Sequence, residues 1–94
     1  MWAGLKELEG ATVETMQGKP FTVLRVDPSK QSAIVIELAS TGKRRTILRD
    51  EMERAYGLAV HGESDRPSTV RASGASERNP AYVAALLRAL VVRP

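Results

Sequence analysis

The chain contains no cysteine, one histidine, few aromatic residues and no extended apolar run. Without cysteine there can be no disulfide, no thiolate zinc site and no cysteine nucleophile, a composition that suits the cytoplasm. His61 alone cannot build a histidine metal site, and no metal or other cofactor is expected. No apolar stretch approaches the roughly 18 residues of a membrane span, and Met1-Trp2-Ala3-Gly4-Leu5-Lys6-Glu7 lacks the basic flank and apolar run of a secretory leader. The expectation is a soluble cytoplasmic protein with no membrane contact. The aromatic residues are Trp2, Phe21, Tyr56 and Tyr82. Only Phe21 falls on an expected strand, which argues against a sheet face that stacks single-stranded bases.

What is present is charge, unevenly placed. The chain has 94 residues and a formal net charge of +3. Up to Thr41, Lys6, Lys19, Arg25 and Lys30 are set against Glu7, Glu9, Glu14, Asp27 and Glu37. From Lys43 onward Lys43, Arg44, Arg45, Arg49, Arg54, Arg66, Arg71, Arg78, Arg88 and Arg93 outnumber Asp50, Glu51, Glu53, Glu63, Asp65 and Glu77. Nucleic-acid contact, if made, would therefore be local to a patch.

A chain of this length forms one domain, 1–94, with a single core. Trp2, Leu5 and Leu8 recur at helical spacing and Gly10 closes a short amphipathic helix. Four strand-like runs follow, Ala11 to Met16, Phe21 to Asp27, Ser32 to Ala39 and Lys43 to Arg49. The connectors Gln17-Gly18-Lys19-Pro20, Pro28-Ser29-Lys30-Gln31 and Ser40-Thr41-Gly42 carry the Gly or Pro of tight reversals. Connections this short join antiparallel neighbours, so 11–49 reads as a β-meander. Apolar residues on both faces of Phe21 to Val26 and Ala33 to Leu38 predict a sheet curled into a small SH3-like barrel or covered on its second side by helices. The more polar Arg44 to Arg49 run suits an edge strand.

At Asp50 the period changes. Asp50 and Glu53 have the spacing of a capping box, and Met52, Ala55, Tyr56, Ala59 and Val60 share one face of a helix running to about His61. After a polar loop, Ser68 to Gly74 reads as a short helix. Asn79-Pro80 then places a favoured N-cap before a proline at the first helical position, opening a last helix from Pro80 to about Val91. On it Val83, Leu86, Leu87 and Leu90 are expected inside, with Tyr82, Ala85, Arg88 and Ala89 nearer the outside.

The three helices expected over 50–91, in the order long, short, then a helix with a marked start, follow the layout of a helix-turn-helix unit. In this the chain resembles small bacterial or phage helix-turn-helix-like DNA-binding modules preceded by an SH3-like β-meander. The resemblance implies an α+β fold with a three-helix subdomain whose last helix lies in the major groove of duplex DNA. The connection from Gly74 to Asn79 is longer than the usual tight turn of that unit. The residues so placed are Lys43, Arg44, Arg45 and Arg49, whose side chains suit phosphate, and Arg78, Asn79, Tyr82 and Arg88 at or near a groove. Each has a plainer reading. The arginines also suit a charged edge strand, Asn79 a cap, and the alanines an ordinary helix.

Catalysis finds no support. Ser40-Thr41-Gly42-Lys43 lacks the upstream glycine of a phosphate-binding loop, has Arg44 where Ser or Thr is needed, and precedes a strand. His61 with Asp50, Asp65 or Ser64 is the only conceivable triad and no nucleophile elbow accompanies it. Glu51 and Glu53 point to different sides of their helix. The expected function is non-enzymatic nucleic-acid binding to duplex DNA. The alternative is a protein-interaction or assembly module, a homodimer included, that docks through the alanine-rich face of the last helix or the sheet edge.

Overall fold

Residues 1–60 and 79–92 are described by the structure, a computed structural model. Within them α1 (Trp2–Glu7) is followed by β1 (Thr12–Glu14), β2 (Pro20–Val26), β3 (Ile34–Leu38), β4 (Arg44–Ile47), α2 (Arg49–Val60) and α3 (Pro80–Val92). The strands form one antiparallel sheet in the order β1-β2-β3-β4, each paired with its neighbour in sequence. The meander is thus as the turn chemistry predicts. Gly18 and Gly42 adopt left-handed backbone in the β1–β2 and β3–β4 turns, where a side chain would strain the reversal. The β2–β3 turn is held instead by the Asp27 carboxylate, which accepts from the Ser29 hydroxyl and backbone N–H.

The sheet is not a closed barrel, because β1 and β4 are its two edges and do not pair. Closure would need the space that the helices occupy. Phe21, Val23 and Val26 of β2, Ile34 and Ile36 of β3 and Ile47 of β4 all lie on one face and are fully buried. They form one cluster with Leu5 of α1 and Leu8 just after it, Met52 and Ala55 of α2, and Val83 to Leu87 of α3. The opposite face, with Thr12, Thr22, Arg25, Glu37, Arg44 and Thr46, is exposed or half-buried. The second-face apolar residues need no cover of their own. Leu24 sits at the shift of register between Val23 and Arg25 and stays 38% exposed, and Val35 is half-buried.

The three-helix subdomain is not supported. One of the helices lies at the N-terminus, and two follow the sheet among the described residues. The expected helix Ser68 to Gly74 lies outside those residues, as does His61.

A second correction concerns the start of α2. It begins at Arg49, so Leu48 precedes it, and the Glu51 carboxylate accepts the Leu48 backbone N–H at 2.8 Å. That is the reaching-back half of a capping box, two residues earlier than the Asp50–Glu53 spacing suggests. Glu53 is released to pair with Arg49 one turn away, at 3.6 Å. The Arg49 backbone N–H, one of the donors a helix start leaves unpaired, is taken by the Gln31 carbonyl at 2.9 Å.

Strand β1 is short, and α1 with the segment after it completes its work along the edge of β2. Gly10 donates to the Val23 carbonyl and Val23 to the Ala11 carbonyl. Beyond them the Glu9 carboxylate accepts the Val26 N–H at 2.7 Å, and Lys6 Nζ donates to the Val26 carbonyl at 3.2 Å. Lys6 and Glu9 also pair with each other at 3.0 Å. Together these side chains stand where another strand would be. The Val26 N–H, and next to it the Lys6 ammonium, hold the Glu9 carboxyl below its ordinary pKa of 4.5.

A depressed carboxyl stabilises the fold above its unfolded pKa, and that contribution is lost as pH falls through the folded value. Thermal midpoints of wild type and Glu9→Gln should therefore differ in favour of wild type at pH 7 and converge as pH drops below about 4.5. A gap constant with pH would mean that the Glu9 charge contributes nothing.

Candidate nucleic-acid interface

Four of the basic residues come from one segment, yet the strand's own geometry divides them. Side chains of β4 alternate between faces. Ile47 pairs with Ile34 and Arg45 with Ile36, so Arg45 belongs to the face that carries the core. Arg44 pairs with Glu37 on the opposite, solvent face, where their side chains meet at 3.6 Å. Arg44 is largely exposed and Glu37 partly so, and the pair contributes at most about 1 kcal/mol. Arg49 lies past the far end of β4, bound to Glu53 and donating to the Pro28 carbonyl. Lys43 leads into β4 from the Gly42 turn, its backbone N–H on Thr41 Oγ1.

Arg45 should reach solvent past the end of the core, but it meets α3 first. Its guanidinium lies 5.7 Å from the centre of the Tyr82 ring, within the range of a cation–π contact. Tyr82 in turn meets Phe21 edge to face, with ring centres 5.3 Å apart and planes at 83°. An exposed cation, a half-buried ring and a fully buried ring thus form a series from surface to core.

One turn earlier on α3, Asn79 is only 4% exposed and donates from its side-chain amide to the Thr46 carbonyl at 3.2 Å. Its own carbonyl accepts the Val83 N–H, as an N-cap residue's should. The cap is therefore also the fastening between α3 and the edge strand. Asn79 is committed to the fold on both counts.

The remaining helix residues separate. Arg88 is half-buried and six positions after Tyr82, about 240° around the helix at 3.6 residues per turn, so it does not share the surface of Tyr82. Arg78 lies outside the described residues. The expected division of α3 into an apolar inside and an alanine outside is corrected. Val83, Ala84, Ala85, Leu86 and Leu87 are buried in succession, Ala84 at 0% and Ala85 at 2% exposure. Sheet, α1 and α2 share one core with this helix, so it is covered nearly all round. Ala85, expected outside, thus belongs to the core, while Ala81 and Ala89 on the same face stay half-buried.

A shallow groove borders Tyr82 on its other side. It has a volume of about 210 Å³ and is lined by Thr15, Met16, Gln17, Lys19, Ala81 and Tyr82. The β1–β2 turn supplies the first four. Gly18 donates to the Thr15 carbonyl at 2.9 Å and the Lys19 N–H to Thr15 Oγ1 at 3.1 Å, which leaves Met16 and Gln17 at the tip. Local sequence pattern carries no sign of this groove. Its two walls are more than 60 positions apart, and only the packing of α3 on β1 joins them.

Comparison of the chain with protein-family models, curated proteins and solved structures returns no significant match. Among the described residues no helix is long and apolar enough to cross a membrane.

Replacing Asn79 by Ala should lower unfolding stability by about 1–3 kcal/mol, since it puts a poor N-cap residue before Pro80 and leaves the Thr46 carbonyl without its donor. Asn79→Asp separates the two effects. Aspartate caps as well as asparagine but cannot donate to a carbonyl. Denaturant titration should find Asn79→Asp also destabilised, and wild-type stability in that variant would make the Thr46 bond dispensable.

Proposed function

We propose that this chain is a non-enzymatic nucleic-acid-binding protein that holds the phosphate backbone where β4 meets the first turn of α3. The observation that supports it best is the seating of Arg45 on Tyr82, which brings the basic strand and the start of the last helix to one surface. The fork of a guanidinium can bind a phosphate by two charge-assisted bonds. The contact with Tyr82 also orders the side chain before binding, so less rotamer freedom is lost on contact. Lys43 beside β4 and Lys19 across the groove are exposed and add positive charge to the same end of the sheet.

The burial of α3 moves this reading away from helix-turn-helix geometry. A helix covered from Val83 to Leu87 has no face to lay in a major groove. Contact falls instead to an edge strand, two turns and one helix terminus, which suits backbone binding with little base readout. Arg44 and Arg49, each on its own carboxylate, are secondary to Arg45 in this proposal.

Salt titration of oligonucleotide binding tests it. Each phosphate contact contributes about −0.9 to the slope of log K against log salt for duplex DNA and about −0.7 for a single strand. Arg45→Gln should flatten the slope by about one such unit, whereas Arg54→Gln, on the exposed side of α2, should not change it. A thermal melt accompanies the titration because Arg45→Gln also loses its contact with Tyr82, worth about 0.5–1 kcal/mol. An unchanged slope in a folded Arg45→Gln would reject the phosphate role.

A further inference from the structure

We infer that the groove between the β1–β2 turn and Tyr82 takes one unstacked base of a single-stranded nucleic acid. The inference rests on the proposed nucleic-acid function and specifies which form of nucleic acid the site takes. It starts from size. At about 210 Å³ the groove is smaller than the roughly 300–1,000 Å³ of sites for whole cofactors or drug-sized ligands, and it suits a single ring system.

Its lining fits that ring. Tyr82 offers aromatic surface and Ala81 a small neighbour on α3. Met16, opposite them on the turn, is 52% exposed, the most exposed large apolar side chain among the described residues. The tip of a tight turn gives methionine nothing to bury against within the chain, whereas a flexible thioether packs well on an aromatic ring. Gln17 carries both donor and acceptor for the polar edge of a base.

Charge selects the occupant. No carboxylate lines the groove among the described residues, and Lys19 does. Arg45 sits on the Tyr82 ring that forms one wall. A neutral apolar side chain of a protein partner would gain nothing from these cations. A base joined to phosphates would use the apolar lining for its ring and Lys19 and Arg45 for the phosphates on either side. A base still paired in a duplex cannot enter, so the strand must be single at this point. The sheet itself offers no stacking aromatic on its open face, so the ring comes from the helix instead.

The test uses the full chain labelled with carbon-13 at the methionine methyl groups. Met52, wholly buried, is the internal control. Addition of a single-stranded hexanucleotide should move the Met16 methyl upfield by ring current and leave Met52 in place, while the matching duplex should move neither. Met16→Ser should weaken single-strand binding roughly tenfold, the scale of one lost base contact, and leave duplex affinity unchanged. Salt-dependent binding of duplex and single strand with no shift at Met16 would overturn the groove assignment yet keep the nucleic-acid function. Absence of any oligonucleotide binding would overturn both. An abasic hexanucleotide that produces the same Met16 shift would overturn base insertion, and so would a shift seen with N-acetylphenylalanine amide but not with the oligonucleotide.

Discussion

A meander of four strands has one face to bury, and α3 is what this chain buries it on. Without α3, six fully buried strand residues from Phe21 to Ile47 would face little more than Leu5 of α1, Leu8 after it, and Met52 and Ala55 of α2 among the described residues. The requirement runs in both directions. Because the helix must fill the space over the sheet as well as meet α1 and α2, it is apolar nearly all round, and its alanines permit close approach of its neighbours. Burying one large apolar side chain is worth about 1.5–3 kcal/mol. From Val83 to Leu87 the helix therefore has no side to spare for a ligand, whereas its first turn emerges past the end of the core.

That first turn is also where the helix is fixed to the sheet. Asn79 binds the Thr46 carbonyl and Tyr82 binds both Phe21 and Arg45, so polar and aromatic contacts specify where α3 sits. The two edges of the meander are handled in the same economical way. On the β2 side Lys6 and Glu9 occupy the backbone groups of Val26, and on the β4 side Asn79 occupies one carbonyl while Arg44 and Arg45 keep the strand charged. Side chains do here what further strands would do in a closed barrel.

The elements that are legible in the sequence are those set by local chemistry. The turn glycines, the meander order, the short first helix and the Asn79-Pro80 start each depend on a few adjacent residues. The capping box is legible only as a type, because two overlapping spacings, Leu48 to Glu51 and Asp50 to Glu53, compete and the tie between Arg49 and the β2–β3 loop decides between them. Ala85 reads as surface because the pattern of larger apolar residues already accounts for one face; burial on the other faces depends on how many neighbours the fold supplies. The basic run reads as one patch only if the period of a strand is ignored. Arg44 and Arg45 must diverge once β4 forms, and their divergence leaves Arg45 alone beside Tyr82. The Met16–Tyr82 groove has no local signature at all, since tertiary packing creates it.

Arg45 could be regarded as spent on Tyr82 and thus unable to serve a ligand, but the geometry of a guanidinium argues otherwise. A guanidinium has five N–H donors in a planar fork, and one ring contact does not occupy them all. The two demands are compatible. An ammonium has no such fork, for its donors point in all directions around a strongly hydrated point charge. Arginine is therefore the residue that can support the Tyr82 ring from one direction and hold a phosphate in another. The Arg44 fork, turned to the opposite face with Glu37, has the same donors but no ring to order it. Of the basic residues in this segment, position on the sheet rather than charge makes Arg45 the one suited to the interface.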